Sequence, residues 1–444
     1  MQLIELRPFL FEHLLENVIP FWTDHAIDAK GGINTCIADD GTLSSRDKWL
    51  WSQWRAVWVF SKLYNRIEPR ESWLNVAKQI AEFTLKHGWD DRVGGWRLCI
   101  SHDGRELRGC DSVYVDAFAI YGLVELARAT GECSRHAGYP LGDAVTHCEK
   151  TIHSEFSGRR RDGACYLAWA CKTADHALRR LQAPHDQIPH FPYSVPKGAR
   201  VHGLPMIFSL AFWELGQFMD EALYRDAALR MTEDIFQHFY RADRDLVVER
   251  VAADNRKYPP PFGTTVVPGH VLECMWFQIH IARDRQNHSA LDDCCRLIRR
   301  HIELGWDDEY GGILHAVDAD GGTDVGWPFA DAKLWWPHVE AMYALLLAYE
   351  HTRDREYLNW YWKVHDYSFA HFPVAEHGEW TQKLDRRGQP LVSVPSLPVK
   401  DPFHLPRALI YCIDVLDRLI PCDESNQQEP LQLREPGVVS REPG

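Results

Sequence analysis

Apolar residues recur near i, i+3/i+4 and i+7 along much of this 444-residue chain, the spacing of helices with a buried face. Clear instances run from Leu10 to Ile19, Ala56 to Tyr64, Leu74 to Lys86, Ala117 to Arg128, Leu210 to Met219, Met275 to Ala282, Ala341 to Tyr349 and Ala408 to Leu419. A second pattern returns between them: an Asp, Gly-Gly or a single Gly, alternating apolar residues, then often another Asp-Gly or Arg-Gly. It reads DAKGGINTCIADDG (28–41), DDRVGGWRLCISHDG (90–104) and DDEYGGILHAVDADG (307–321). Weaker copies are RRDGACYLAW (160–169), RADRDLVVERVAADN (241–255) and EHGEWTQKLDRRG (376–388). The alternation has the two-residue period of a strand, so each copy predicts a short β-hairpin.

With Gly32, Gly95, Gly163, Leu246, Gly312 and Gly378 as markers, the intervals are 63, 68, 83, 66 and 66 residues. Each interval holds two helices and their connections, which points to stacked helical hairpins. Six such units use up the chain, and neither end carries a polar cap. The expected fold is therefore all-α: one (α/α)6 barrel over residues 1–420, with short β-hairpin loops on one face, in preference to an open solenoid. Residues 421–444, polar and Pro/Gly-rich, are expected to form a disordered tail. Inner helices of a barrel line a funnel, so polar or aromatic groups interrupting their apolar faces become candidates for chemistry.

Composition narrows the choices. A net charge of −14 argues against nucleic acid or an anionic membrane as partner, because both need a basic surface. The 18 Trp suit either a large aromatic core or a pocket that stacks rings on sugar faces. Twelve Cys without a Cys-x-x-Cys pair, no apolar leader and no run of eighteen apolar residues fit free thiols in a reducing cytoplasm.

Four constellations break the core pattern. Trp51 and Arg55 lie one helical turn apart, and Arg55 serves either to pair with a core carboxylate or as a site cation. In Pro268-Gly-His270-Val-Leu-Glu273, the i, i+3 spacing lets Glu273 orient His270 or raise its pKa. Lys333-Leu-Trp-Trp336-Pro-His338-Val-Glu340 opens the helix that starts near Ala341, with Pro337 suited to a first turn. Phe403-His404-Leu-Pro-Arg407 places a His and an Arg in one first turn. A single His near a helix N-terminus is more often structural, but two at equivalent hairpin positions favour chemistry. Phosphate-cradling glycine motifs, a serine elbow and His-Glu-x-x-His are absent from the sequence, so neither nucleotide nor metal is indicated.

In this order the motifs Trp51-x-Gln53-x-Arg55, Pro268-Gly-His270-x-x-Glu273, Lys333-Leu-Trp-Trp-Pro-His-x-Glu-Ala341 and Phe403-His404-x-Pro-Arg407 resemble the N-acylglucosamine 2-epimerase family, from about Leu10 to Leu416. The resemblance implies a sugar 2-epimerase that removes and returns the C2 proton of an open aldose or N-acylhexosamine through an enediolate, with no cofactor. It implies His270 and His404 as acid/base groups and Arg55 as the cation at the enolate oxygen. Trp51, Tyr114 and Trp336 would bind sugar, Glu273 would orient His270, Glu340 would hold a neighbour, and Arg407 would stand behind His404. His338 receives no proton-transfer role, and a homodimer is implied. The segment Val201-His-Gly-Leu-Pro-Met-Ile207, assigned to the fourth hairpin, resembles the Pro-Met type of the epimerases and leaves His202 as an extra binding candidate. An aldose–ketose isomerase is the nearest alternative. A six-hairpin glycoside hydrolase, which needs a convergent carboxylate pair, and a non-catalytic sugar-binding protein are more remote.

Overall fold

The computed structural model describes residues 2–132, 165–391 and 399–420. Among the described residues twelve helices alternate between outer and inner positions: α1 (3–25), α2 (50–67), α3 (Glu71–Gly88), α4 (Tyr114–Ala129), α5 (Tyr166–Arg180), α6 (Gly203–Met219), α7 (222–239), α8 (Pro268–Asp284), α9 (His288–Gly305), α10 (Trp335–Thr352), α11 (Arg355–His371) and α12 (His404–Leu419). Each inner helix packs on the outer helix that follows it, and α12 on α1, which makes six hairpin units. Wide π-helical turns occur at His13–Val18, Leu63–Ile67 and Ile235–Phe239. The even helices stand side by side as an inner ring, with the odd helices packed outside. The ring closes where Tyr411 of α12 meets Trp58 of α2 and Arg66 pairs with Asp414 at 2.7 Å. The chain is an (α/α)6 barrel.

Inner and outer helices differ in sequence for a physical reason. Every residue of α10 from Trp335 to Ala348 is buried, since an inner helix meets protein on all sides. In α9 the buried set includes Leu291, Cys294, Ile298, His301 and Ile302, the stripe of a helix with one face to water. An aromatic group plugs the barrel: Trp58 stacks on Tyr121 at 5.1 Å, Tyr121 hydrogen-bonds Tyr411 at 2.8 Å, and Tyr343 stacks on Tyr411 at 4.9 Å.

The outer-to-inner loops gather at one rim and pair with one another. Lys48–Trp49 pairs with Cys99–Ile100, Ala199–Val201 with Arg250–Ala252, Thr265–Val266 with Val317–Asp318, and Lys333–Leu334 with Lys383–Leu384, all antiparallel. A bridge between Ser112 and His190 joins the second loop to the third, and the Lys400 N–H donates to the Thr35 carbonyl at 2.7 Å, joining the sixth to the first. The ring of loops is closed by backbone hydrogen bonds. Each ladder ends where an inner helix begins, so it sets the position of that helix N-terminus.

The glycine signature marks where these loops press against the helices. Gly32 (φ 76°) and Gly312 (φ 79°) are left-handed, and a Cβ would lie 2.8 Å from Gln53 Oε1 and 2.6 Å from the Tyr367 ring respectively. The N–H that follows each turn is captured by a buried polar side chain. Ile33 donates to Gln53, Trp96 to Asp116, Val247 to His301 and Ile313 to His338.

Two sequence assignments need correction. Gly163 lies outside the described residues, and the third outer-to-inner loop is the one between α5 and α6, without a Gly-Gly copy. Val201–Ile207 therefore opens the inner helix of the third hairpin, not the fourth, and α5 is an outer helix with a partly exposed face. The expected tail, 421–444, also lies outside the described residues. Among the described residues no helix is long and apolar enough to cross a membrane, and Cys36, Cys99, Cys110, Cys171, Cys274, Cys294, Cys295 and Cys412 are free thiols.

Burial holds His338 at a pKa of about 3 and His301 at about 4, so both stay neutral in the fold, whereas an unfolded His binds a proton below about 6.5. Their contribution to stability is complete above about 6.5 and is lost as pH falls toward 4 and 3. We expect His338→Leu, which orphans the Ile313 N–H, to cost about 1–3 kcal/mol at pH 7 and to flatten the fall of the urea midpoint between pH 6.5 and 4. An unchanged midpoint and pH slope would contradict the capping role of His338.

Candidate active site

The rim opens into a cavity of about 400 Å³ lined by the first turns of the inner helices and by the loops above them. Of the expected residues, Trp51, Arg55, Tyr114, His270, Glu273, Trp336 and His404 line it; Glu340, Arg407 and His202 do not. Trp51 stacks with Trp49 and Phe191, at 5.7 and 6.1 Å. The tryptophans divide between the two roles open to them. Trp51, Trp327, Trp335 and Trp336 face the cavity, while Trp22, Trp54, Trp58, Trp96, Trp276 and Trp380 are buried in the core.

His270, in the first turn of α8 behind Pro268, and His404, the first residue of α12, both lie against Trp336. The ring centroids are 5.2 Å and 5.6 Å from the indole. Each imidazole is held at Nδ1 by a different buried carboxylate: His270 by Glu249 at 3.0 Å and His404 by Glu340 at 2.8 Å. With Nδ1 engaged, Nε2 is the nitrogen each ring offers to a ligand. Burial alone depresses the pKa of His270. The charge and hydrogen bond of Glu249, with the charge of Glu273, outweigh burial and raise it above 6.5. Burial likewise opposes the charge on Glu249, yet His270 and His202 hold its carboxyl well below the usual range.

This arrangement corrects two expectations. Glu273 raises the His270 pKa by its charge, as its spacing allowed, but it does not bond or orient the ring; its carboxylate bonds Arg407 instead. The residue that does bond His270, Glu249, lies in the loop strand Val247-Val-Glu-Arg-Val251, and its signal was a charge inside an alternating apolar run. His202, expected to touch the ligand, is fully buried behind the wall, with Nδ1 3.8 Å from Glu249 and its ring beside Phe239. It precedes α6 directly, where a side chain turns into the packing between loop and helix.

Arg407 is the buried hub beneath the cavity. Its Nη2 bonds Glu273 and, at 2.6 Å, Glu340, and lies 3.3 Å from His404 Nδ1; its guanidinium packs over Phe403 at 4.3 Å. Glu340 also accepts from Trp276 Nε1 at 2.8 Å. Glu273, Glu340 and His404 are close enough together to resemble a metal-ligand set, but the positive charge among them is the guanidinium. His338 sits in the same helix turn as Glu340, fixed between the Ile313 N–H and the Leu334 carbonyl and stacked on Tyr367 at 5.3 Å. Both of its ring nitrogens are occupied by backbone.

Arg55 has the carboxylate partner that was one of its two alternatives. It bonds Asp401 at 2.5 Å, packs over Phe118 at 3.9 Å, and still lines the cavity. Asp401 in turn accepts the backbone N–H groups of Phe403 and His404, at 2.8 and 3.0 Å, so one carboxylate positions both the arginine and the start of α12. Loop residues that periodicity does not signal, among them His190, Tyr193, Arg250, His315 and Trp327, complete the wall.

If Glu249 raises the His270 pKa as its geometry requires, Glu249→Gln leaves burial unopposed by that charge. We expect an NMR titration of the His270 ring to move from above 6.5 in the wild type to a lower pH in the variant. An unmoved titration would remove Glu249 from this role.

The sequence matches the N-acylglucosamine 2-epimerase (GlcNAc 2-epimerase) family over residues 31–164 and 168–408. It is 30% identical over 446 residues to the N-acylglucosamine 2-epimerase of Mus musculus, covering 98% of this chain and 96% of that protein. The fold is similar to the cellobiose 2-epimerase of Spirochaeta thermophila (TM-score 0.74, 19% identity, 94% of this chain and 98% of that one). It is also similar to a D-mannose isomerase (TM-score 0.69, 18% identity, 93% and 97%). On the family match and the full-length relative together, this chain belongs to the N-acylglucosamine 2-epimerase family.

Proposed function

We propose that this chain is a sugar 2-epimerase, inverting C2 of a reducing aldose or N-acylhexosamine, with His270 and His404 as its acid/base pair. One observation carries the reading: two imidazoles, each held at Nδ1 by its own buried carboxylate, lie against Trp336 on the wall of a single cavity. In the open-chain sugar the C2 proton is acidified by the adjacent C1 carbonyl. Neutral Nε2 of one histidine takes that proton, and the electron pair moves to the carbonyl oxygen as an enediolate. Nε2 of the other, protonated, histidine returns a proton to the opposite face. One ring ends protonated and the other neutral; exchange with solvent resets them. A raised pKa at His270 keeps an appreciable protonated fraction near neutrality, where general acid–base catalysis works best.

Arg55, fixed by Asp401, would neutralise the oxyanion with its guanidinium. Tyr114 and the Trp51, Trp335 and Trp336 rings would hold the sugar, Glu340 would fix His404, and Arg407 would fix Glu340 and Glu273. A hydrolase would need two free carboxylates facing the bond to be cut. Here Glu249, Glu273 and Asp401 are tied to His270, Arg407 and Arg55. We further propose a homodimer in a reducing cytoplasm, on the family resemblance and the free thiols; sedimentation velocity tests the first part.

Turnover of N-acetylglucosamine, N-acetylmannosamine, glucose, mannose and cellobiose in D2O tests the reaction. The expected product is the C2 epimer with deuterium at C2 and no ketose. His270→Ala and His404→Ala are each expected to lower kcat by about 10²–10⁴-fold. Ketose as the main product would make the chain an aldose–ketose isomerase, and full turnover without His404 would remove the two-histidine mechanism.

A further inference from the structure

The proposed reaction gives no task to Arg250, a cation of the cavity wall. Arg250 follows Glu249 in the loop strand whose backbone pairs with Ala199–Val201. It is only 8% exposed, and it lines the cavity. Its guanidinium lies between two aromatic rings, 5.2 Å from the centroid of Phe262 and 5.1 Å from that of Trp327. It makes no side-chain hydrogen bond or ion pair with any described residue, and its Nη1 is buried without a partner. The other buried arginines of this region behave differently: Arg55 is paired with Asp401, and Arg407 with Glu273 and Glu340. The carboxylate next to it in sequence, Glu249, is already engaged by His270.

A buried guanidinium without an ion-pair partner is costly, and ring faces offset only part of that cost. The cost is relieved by a ligand oxyanion, which accepts two parallel N–H bonds from the planar fork. The location tells which part of a sugar would supply it. Trp327 lies 6.1 Å from the His270 ring and 5.6 Å from Tyr193, so Arg250 sits beyond His270 under the fourth- and fifth-hairpin loops. Arg55 leans the other way, on Phe118 and Phe403. With C2 between the two histidines and the C1 oxygen at Arg55, the far end of the sugar faces Arg250. We propose that Arg250, clamped by Phe262 and Trp327, is an oxyanion subsite, and that the substrate is a reducing sugar bearing a carboxylate or phosphate at the carbon remote from C1 and C2. The orientation rests on the 2-epimerase reading; the subsite itself rests on Arg250.

Isothermal titration with 1,5-anhydro sugars tests it, since these cannot open and so bind without reacting. Three analogues are compared: neutral, 6-carboxylate and 6-phosphate. The wild type is expected to bind one anionic analogue about tenfold or more tighter than the neutral one, the range of a charge-assisted bond in a buried site. The tighter of the two names the substituent class. Arg250→Gln should bind all three alike, and Arg250→Lys, with charge but no fork, should keep part of the preference. A wild type that binds the neutral analogue as tightly as both anions would overturn the subsite, as would a preference that survives in Arg250→Gln. Should no sugar exchange its C2 proton while the anion preference still tracks Arg250, the subsite stands and the epimerase reading falls.

Discussion

The structure depends on the closure of its rim. Six outer-to-inner loops form a continuous ring of backbone hydrogen bonds, ending with the Lys400 N–H on the Thr35 carbonyl. Each contact is modest alone, but a closed ring removes the free edges an open stack would expose. It also fixes where every inner helix starts. His270, Trp336 and His404 all occupy first turns, so their separation is set by loop pairing as much as by helix packing.

Buried ionisable groups hold the loops to the helices. Lys48 bonds Asp28 at 2.8 Å, Lys333 bonds Asp307 at 3.1 Å and Lys400 bonds Glu379 at 3.1 Å. In each pair an acid of the glycine turn meets a cation that comes shortly before the next inner helix. Such pairs add little net stability when burial strips both charges of water, but breaking one strands the other. Their value is in register: a loop that slipped would leave a charge unpaired.

The same logic separates the histidines of the packing from those of the cavity wall. His301 and His338 give both ring nitrogens to backbone groups and are held neutral by burial. His270 and His404 give one nitrogen to a carboxylate and keep the other for the cavity. Burial pushes the pKa of His301 and His338 down, whereas Glu249 pushes that of His270 up against burial. The identity of the residue says nothing about which environment it will have.

Much of this was legible in the chain. Helical periodicity and the recurrent glycine turns were enough to predict six hairpins and their closure, because both are local patterns imposed by backbone sterics and by one buried face. The motifs around Trp51, Pro268, Trp336 and His404 marked the inner helices that carry the site. The third loop was misplaced, because it lacks the Gly-Gly turn and the marker taken for it, Gly163, lies before α5 and not between α5 and α6. What the sequence could not determine is which groups meet across the barrel. Spacing along α8 suggested that Glu273 serves His270, yet the cross-barrel reach of Arg407 claims Glu273 and a loop strand delivers Glu249. Periodicity reports which face of a helix is buried. The partner a buried charge finds there is chosen by desolvation and distance in three dimensions, and only the folded chain decides that.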